Sequence, residues 1–206
     1  MKIKTIKDFA QSKFKEKESL FLGLAFPVEN IDEAEAKLDE IRKKYYDATH
    51  HCYAYKTLSE GEKYSDDGEP SGTAGIRLLN AINHFDLTNV LLVSVRWFGG
   101  KKLGVGPLGK AYYRSGLETL ENAEIIELEE YLKISVEYDY SQTKNVHHFL
   151  QKYGAIIKEN LFEEKPKIIA LIKTGYFENF SNELFEASAR TVKVEKMGRI
   201  FVSLAE

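Results

Sequence analysis

"TNVLLVSVRWFGGKKLGVGPLGKAYYR", residues 88–114, is the stretch from which the fold can be read. Residues 88–98 are almost continuously apolar and rich in branched side chains, as in a central strand buried on both faces. Gly99, Gly100, Lys101 and Lys102 then break the run. Pro107 suits the first turn of a helix, because its missing N–H would find no partner there in any case. That helix is expected to end near Glu121.

Upstream, "DDGEPSGTAG", residues 66–75, places the carboxylates of Asp66, Asp67 and Glu69 within four residues. The overlapping run "EKYSDDGEPSG", residues 62–72, is expected to be a loop on its Gly, Pro, Ser and Asp content. A helix is expected from about Thr73, with Leu78, Leu79, Ile82 and Phe85 on its apolar face. Further out, residues 20–28 and 49–57 read as strands. Between them Asn30 is an N-cap with Glu33 as its capping-box partner. Ile31, Ala34, Leu38, Ile41 and Tyr45 then mark an amphipathic helix.

Charge shifts sharply after the 88–114 stretch. No acidic residue occurs from Leu87 to Leu117, and six glutamates follow between 118 and 130. A domain boundary is expected near 124–130, giving domains 1–126 and 127–206. The second domain reads strand 131–138, helix 142–153, strands 154–162 and 167–174, helix 178–189 and strand 191–204. Val146, Phe149, Leu150 and Tyr153 form the first helix's apolar face, and Gly154 stops it. The order βαββαβ is the ferredoxin-like unit. The expected fold class is therefore two-domain α+β, with an α/β layer first and a ferredoxin-like domain second.

Composition bounds the function. The 206 residues are 43% apolar and 12% aromatic, enough for a real core. The net charge of -3 excludes a protein that is basic overall, so any nucleic-acid contact must come from a local patch. Cys52 is the one cysteine, which precludes an intrachain disulfide and fits a reducing cytoplasm. The N-terminal segment does not read as a signal peptide, and no stretch suits a membrane-spanning helix. The expected location is cytoplasmic, with no membrane partner.

Two nucleotide motifs are approached and missed. Gly104, Gly106 and Gly109 spell GxGxxG, and Gly104 with Gly109 and Lys110 spells most of a Walker A loop. Ala111 stands where magnesium needs a hydroxyl, and Pro107 removes an N–H from either cradle. N–H groups at that helix start, with Lys101, Lys102 and Lys110, could still hold a phosphate. Asp66, Asp67 and Glu69 could bind magnesium; the favoured expectation is that Asp66 or Asp67 pairs with Arg96 or a lysine and orders the glycine-rich loop. Neither a metal nor a cofactor is expected. Ser71 or Thr73 is expected to cap the next helix. His50 and Cys52 share one strand face and His51 the other, with Cys52 read as buried and inert. His147 and His148, adjacent on a helix, diverge by about 100° and form no ligand pair. Arg96, Lys101, Lys102, Lys110 and Arg114 interleave with Trp97, Phe98, Tyr112 and Tyr113, the cation-and-ring composition of single-stranded nucleic-acid sites.

"DATHHCYAY" (47–55), "SDDGEPSGTAG" (65–75), "LTNVLLVSVRWFGGKKLG" (87–104) and "GKAYYRSG" (109–116) together resemble the Impact family, most closely its bacterial YigZ branch. With "SKF" at 12–14 the resemblance covers most of residues 12–120. It implies an N-terminal domain similar to the second domain of a small-subunit ribosomal protein. It also implies a ferredoxin-like C-terminal domain similar to late domains of elongation factor G. Family members often carry Gly-Thr-Gly-Gly-Leu where this chain has Gly104-Val105-Gly106-Pro107-Leu108, and Gly-Arg-Pro where it has Gly75-Ile76-Arg77. Eukaryotic relatives regulate translation under amino-acid starvation through an added N-terminal domain, a partnership not carried over to this chain.

Two functions follow as expectations. The first is an RNA- or ribosome-associated regulator of translation that binds through the basic, glycine-rich and aromatic loop, without DNA specificity. The second is an enzyme acting on a phosphorylated small molecule or nucleotide at the same place. Both draw on Asp66, Asp67, Glu69, Ser71, Thr73, Arg96, Phe98, Gly99, Gly100, Lys101, Lys102, Gly104, Gly106, Lys110, Tyr112 and Arg114.

Overall fold

The strand expected at 88–98 has no polar face to give to water, and it takes the middle of a sheet. In a computed structural model describing residues 1–162 and 164–203, the chain divides into two units. One is Ile3–Glu127; the other joins Met1–Lys2 to Leu128–Glu206.

The chain opens with β1 (Lys2–Ile6), and the first unit goes on with β2 (Ala10–Glu16), β3 (Ser19–Pro27), α1 (Ile31–Lys44) and β4 (His50–Thr57). β5 (Gly61–Ser65), α2 (Gly75–His84), β6 (Val90–Trp97) and α3 (Val105–Glu121) complete it. Five strands form an antiparallel sheet in the order β2-β3-β6-β4-β5. Alternation along β6 sends Leu91, Val93 and Val95 into a core with α1, including Ala34, Leu38 and Ile41. Val90 and Leu92 join the opposite core, where Leu78, Ile82, Tyr112 and Leu120 lie. Both faces are thus covered by helices, which explains the unbroken apolar run. Arg96 continues the second of these faces at the strand's end and is itself buried.

Small residues let α3 sit close to its neighbours. A Cβ on Gly23 of β3 would lie 2.0 Å from Thr119 Oγ1. Around that contact Ser12 and Thr119 hydroxyls meet at 2.7 Å, and those of Ser94 and Ser115 at 2.9 Å, so this buried polar seam is satisfied.

Two parts of the sequence reading change here. Residues 61–65, most of them expected as loop, form β5 against β4. This is an exposed, charge-rich edge strand, and edge strands carry that composition to discourage further pairing. β1 and β2 were assigned no element. β2, AQSKFKE, turns Ala10, Ser12 and Phe14 inward and lysines outward, so a single large apolar side chain marks its inner face and the strand does not stand out.

The second unit holds β7 (Ile125–Glu137), α4 (Thr143–Lys152), β8 (Ile156–Phe162), β9 (Pro166–Lys173), α5 (Phe177–Ala187) and β10 (Lys193–Val202). The strand order β10-β7-β9-β8, antiparallel throughout, is that of a ferredoxin-like βαββαβ unit. β7 begins within the acid-rich segment, earlier than residue 131. The core gathers Ile134, Val136, Val146, Leu150, Ala170 and Phe180. α4 ends as its sequence dictates. Gly154 takes φ +60°, its N–H bonds Gln151 O, and the Ala155 N–H reaches back to Leu150 O at 2.8 Å, a Schellman closure. The last residue of the strand expected at 191–204, Leu204, lies outside the described residues. No described helix is long and apolar enough to cross a membrane.

Candidate functional site

The acidic turn spends its charge in three directions. Asp66 turns onto the start of α2. One carboxylate oxygen accepts from the Ala74 and Gly75 N–H groups at 2.9 and 2.8 Å, and the other from Gly72 N–H at 2.8 Å. An anion at a helix N-terminus satisfies orphan donors and complements the helix dipole. The cap is therefore Asp66, not Ser71 or Thr73 as expected. Thr73 is buried and donates its hydroxyl to Pro70 O, while Ser71 stays exposed. Asp67, at φ +43°, accepts from the His51 N–H at 2.6 Å.

Glu69 carries the interaction expected of its neighbours Asp66 and Asp67. Its Oε1 accepts from Arg96 Nη1 at 2.5 Å and from the Tyr112 hydroxyl at 2.7 Å. Neither Asp66 nor Asp67 makes that pairing. The geometry of the turn decides the matter: the two aspartates face the α2 start and β4, and Glu69 alone, past Gly68, reaches under the sheet end. Arg96 also donates to Ser19 Oγ at 3.1 Å, and its guanidinium lies 5.4 Å from the ring centres of both Phe21 and Phe98. Burial, followed by Cys52 and Glu69 beside it, pushes the Tyr112 phenol up, so it stays protonated and donates.

Glycines shape the loop above this pair. A Cβ on Gly99 would stand 1.8 Å from Glu18 O, so no other residue fits where the loop crosses the β2–β3 turn. Gly104 precedes α3 at φ +90°, in the left-handed range. It gives α3 no side-chain cap, and the Val105 and Gly106 N–H groups are left without a partner among the described residues. Gly100 is in the loop and Gly106 in the first turn of α3, each with open space around it.

The cations separate into two sets. Lys101 reaches Glu18 at 3.3 Å, while Arg114 pairs with Glu118 at 2.6 Å and covers the Phe14 ring. The side chains of Lys102, Lys110 and Arg77 have no hydrogen-bond or ion-pair partner among the described residues. Arg77 and Lys110 line a concavity of about 550 Å³ with Ser71, Asn80, Gly106 and Tyr113. Lys102 lines a second, of about 360 Å³, with His50, Glu69, Arg96, Phe98 and Gly104. Val105 borders both. The rings separate as well. Phe98 is 42% exposed and Tyr113 partly buried, whereas Tyr112 is core and Trp97 packs edge-on against Tyr45 on the α1 face.

The sequence reading missed Arg77 and Asn80. They lie three residues apart on α2, off the Leu78–Leu79–Ile82 face, so helical spacing carried the signal. Cys52 is buried with its thiol against Asp66 O at 3.0 Å, and burial pushes its pKa up, which makes it a poor nucleophile.

Known proteins carry the same pattern. Residues 17–120 match the Impact N-terminal domain. The chain is 32% identical over 194 residues to an IMPACT family member of Haemophilus influenzae, across 92% of this chain and 90% of that one. It is 35% identical over 100 residues to IMPACT family member YigZ of Escherichia coli, across 47% of this chain and 49% of that one. A crystal structure of a hypothetical protein shares the fold at TM-score 0.67 and 24% identity, covering 96% of this chain and 98% of that one. With the Impact domain spanning half its length and a relative of this identity aligned nearly end to end, the chain belongs to the Impact family.

Proposed function

We propose that this protein is an RNA- or ribosome-associated regulator of translation. It binds the sugar-phosphate backbone across the start of α3. The observation that carries this reading is the set of three cations, Arg77, Lys102 and Lys110, that have no acidic partner among the described residues. They stand around a helix N-terminus with two unpartnered N–H groups, which favours phosphate oxygens. Phe98 and Tyr113 beside them offer faces on which bases stack. An enzyme acting on a phosphorylated substrate with the 66–69 carboxylates in its site would need those carboxylates free to meet it. Asp66 is held by three amides, Asp67 by β4, and Glu69 by Arg96 and Tyr112, so the acidic run does not converge.

Filter retention of labelled single-stranded RNA, structured RNA and ribosomes at low salt tests the proposal. Retention above that of a charge-matched control protein supports it. Retention no better than the control with all three removes it.

A further inference from the structure

The smaller concavity is more than a path for phosphate. His50 Nδ1 lies 2.8 Å from Asp67 O. A carbonyl can only accept, so Nδ1 carries the proton, and in that tautomer Nε2 is an acceptor. That nitrogen stands 3.7 Å from Glu69 Oε1, on the same wall of the pocket. Glu69 Oε1 is already engaged by Arg96 and Tyr112. Glu69 Oε2 accepts no hydrogen bond among the described residues, yet it is not sealed from solvent. Two acceptors, one of them a carboxylate oxygen, therefore belong to residues lining one pocket. Arg96, which also lines the pocket, keeps its Nε buried and without a partner among the described residues. The lining also holds apolar Phe98, Leu103 and Leu108, and the half-exposed Phe98 ring gives a planar group something to stack on. The volume, about 360 Å³, falls within the range of small-molecule sites.

We infer that this pocket takes a guanine base, with His50 and Glu69 as its specificity-determining residues. Of the four bases, guanine alone carries two adjacent donors, N1–H and the N2 amino group, on its Watson–Crick edge. Its O6, next to N1, is an acceptor on the same edge. Adenine and cytosine place an acceptor where this pocket has acceptors, and uracil places a single donor between two acceptors. Splayed bases of single-stranded RNA are read in this way, by stacking and by their Watson–Crick edges. The inference rests on the RNA reading above for its main source of guanine, the other source being a free guanine nucleotide.

Fluorescence polarisation with labelled heptamers, six uridines around one central G, A or inosine, tests it on the full chain. GMP and AMP serve as separate ligands, followed by thermal shift. The expected result is about tenfold tighter binding of the G heptamer than of the A heptamer, the scale of a good bidentate base contact. Inosine, which lacks the N2 amino group, loses most of that preference without any change to the protein. Glu69→Gln loses it too, with folding checked by circular dichroism, while Phe98→Ala weakens all heptamers and keeps the order. G preference in the heptamers supports RNA as the source. No heptamer binding, with GMP favoured over AMP, supports a free nucleotide and removes the RNA reading alone. Heptamers that bind equally, with GMP no better than AMP, overturn the guanine pocket and leave the RNA reading standing.

Discussion

Glu69 and Arg96, 27 residues apart in sequence, meet at 2.5 Å with each side chain 5% exposed. The pair ties the acidic turn to the end of the central strand and is completed by Tyr112 and Ser19. Removing one partner strands a buried charge, whereas replacing both is tolerated better. Arg96→Ala is expected to lower the unfolding free energy by about 3–5 kcal/mol in denaturant titrations. Arg96→Met with Glu69→Leu should recover most of that loss. A single variant as stable as the native protein would show that the pair is not buried as described.

Asp66 holds the start of α2 through three amides. Asp66→Ala should cost about 1–2 kcal/mol, at the upper end for a lost cap. Ser71→Ala should cost close to nothing, since its exposed hydroxyl makes no cap. Equal losses for the two would mean that the helix start is held in another way.

Gly23→Ala forces a methyl to within 2.0 Å of Thr119 Oγ1 and 2.9 Å of Ser115 O. Overpacking of this kind costs about 1–3 kcal/mol. Thr119→Ala in the same chain removes the nearer clash and should restore part of the stability. Thermal unfolding of the two variants checks the close approach of β3 and α3, and no rescue would contradict it.

Burial raises the Cys52 thiol and the Tyr112 phenol above their ordinary values. The folded chain keeps protons that the unfolded chain gives up as pH rises. Stability is therefore expected to fall with alkaline pH, beginning near the ordinary thiol value of about 8.5. Alkylation of Cys52 at mildly alkaline pH should track unfolding in denaturant. Rapid labelling of the native protein would contradict its burial.

The architecture was legible where apolar pattern and capping chemistry were strong. Leu91, Val93 and Val95 in β6, Asn30 before α1 and Gly154 after α4 each announce their element locally. β5 and β2 were not legible, because an edge strand with charged or small residues has the composition of a loop. The two motifs that form the site were visible, but not the pairing between them. Composition shows three carboxylates and a nearby arginine, and cannot tell which one faces it. That choice depends on where the chain turns at Asp67 and Gly68, both at positive φ. Arg77 was missed because the eye follows the apolar face of α2, and the open face supplies the cation.

The central claim is that Arg77, Lys102 and Lys110 neutralise RNA phosphates. The direct measurement is the salt dependence of single-stranded RNA affinity, for the native chain and for Arg77→Ala, Lys102→Ala, Lys110→Ala combined. Each neutralised phosphate contributes about 0.7 to the slope of log K against log salt on a single strand. The triple variant should bind more weakly at every salt concentration, with a slope flatter by about 2. Lys101→Ala with Arg114→Ala, whose cations already face carboxylates, should change the slope far less. An unchanged slope in the triple variant would contradict the account.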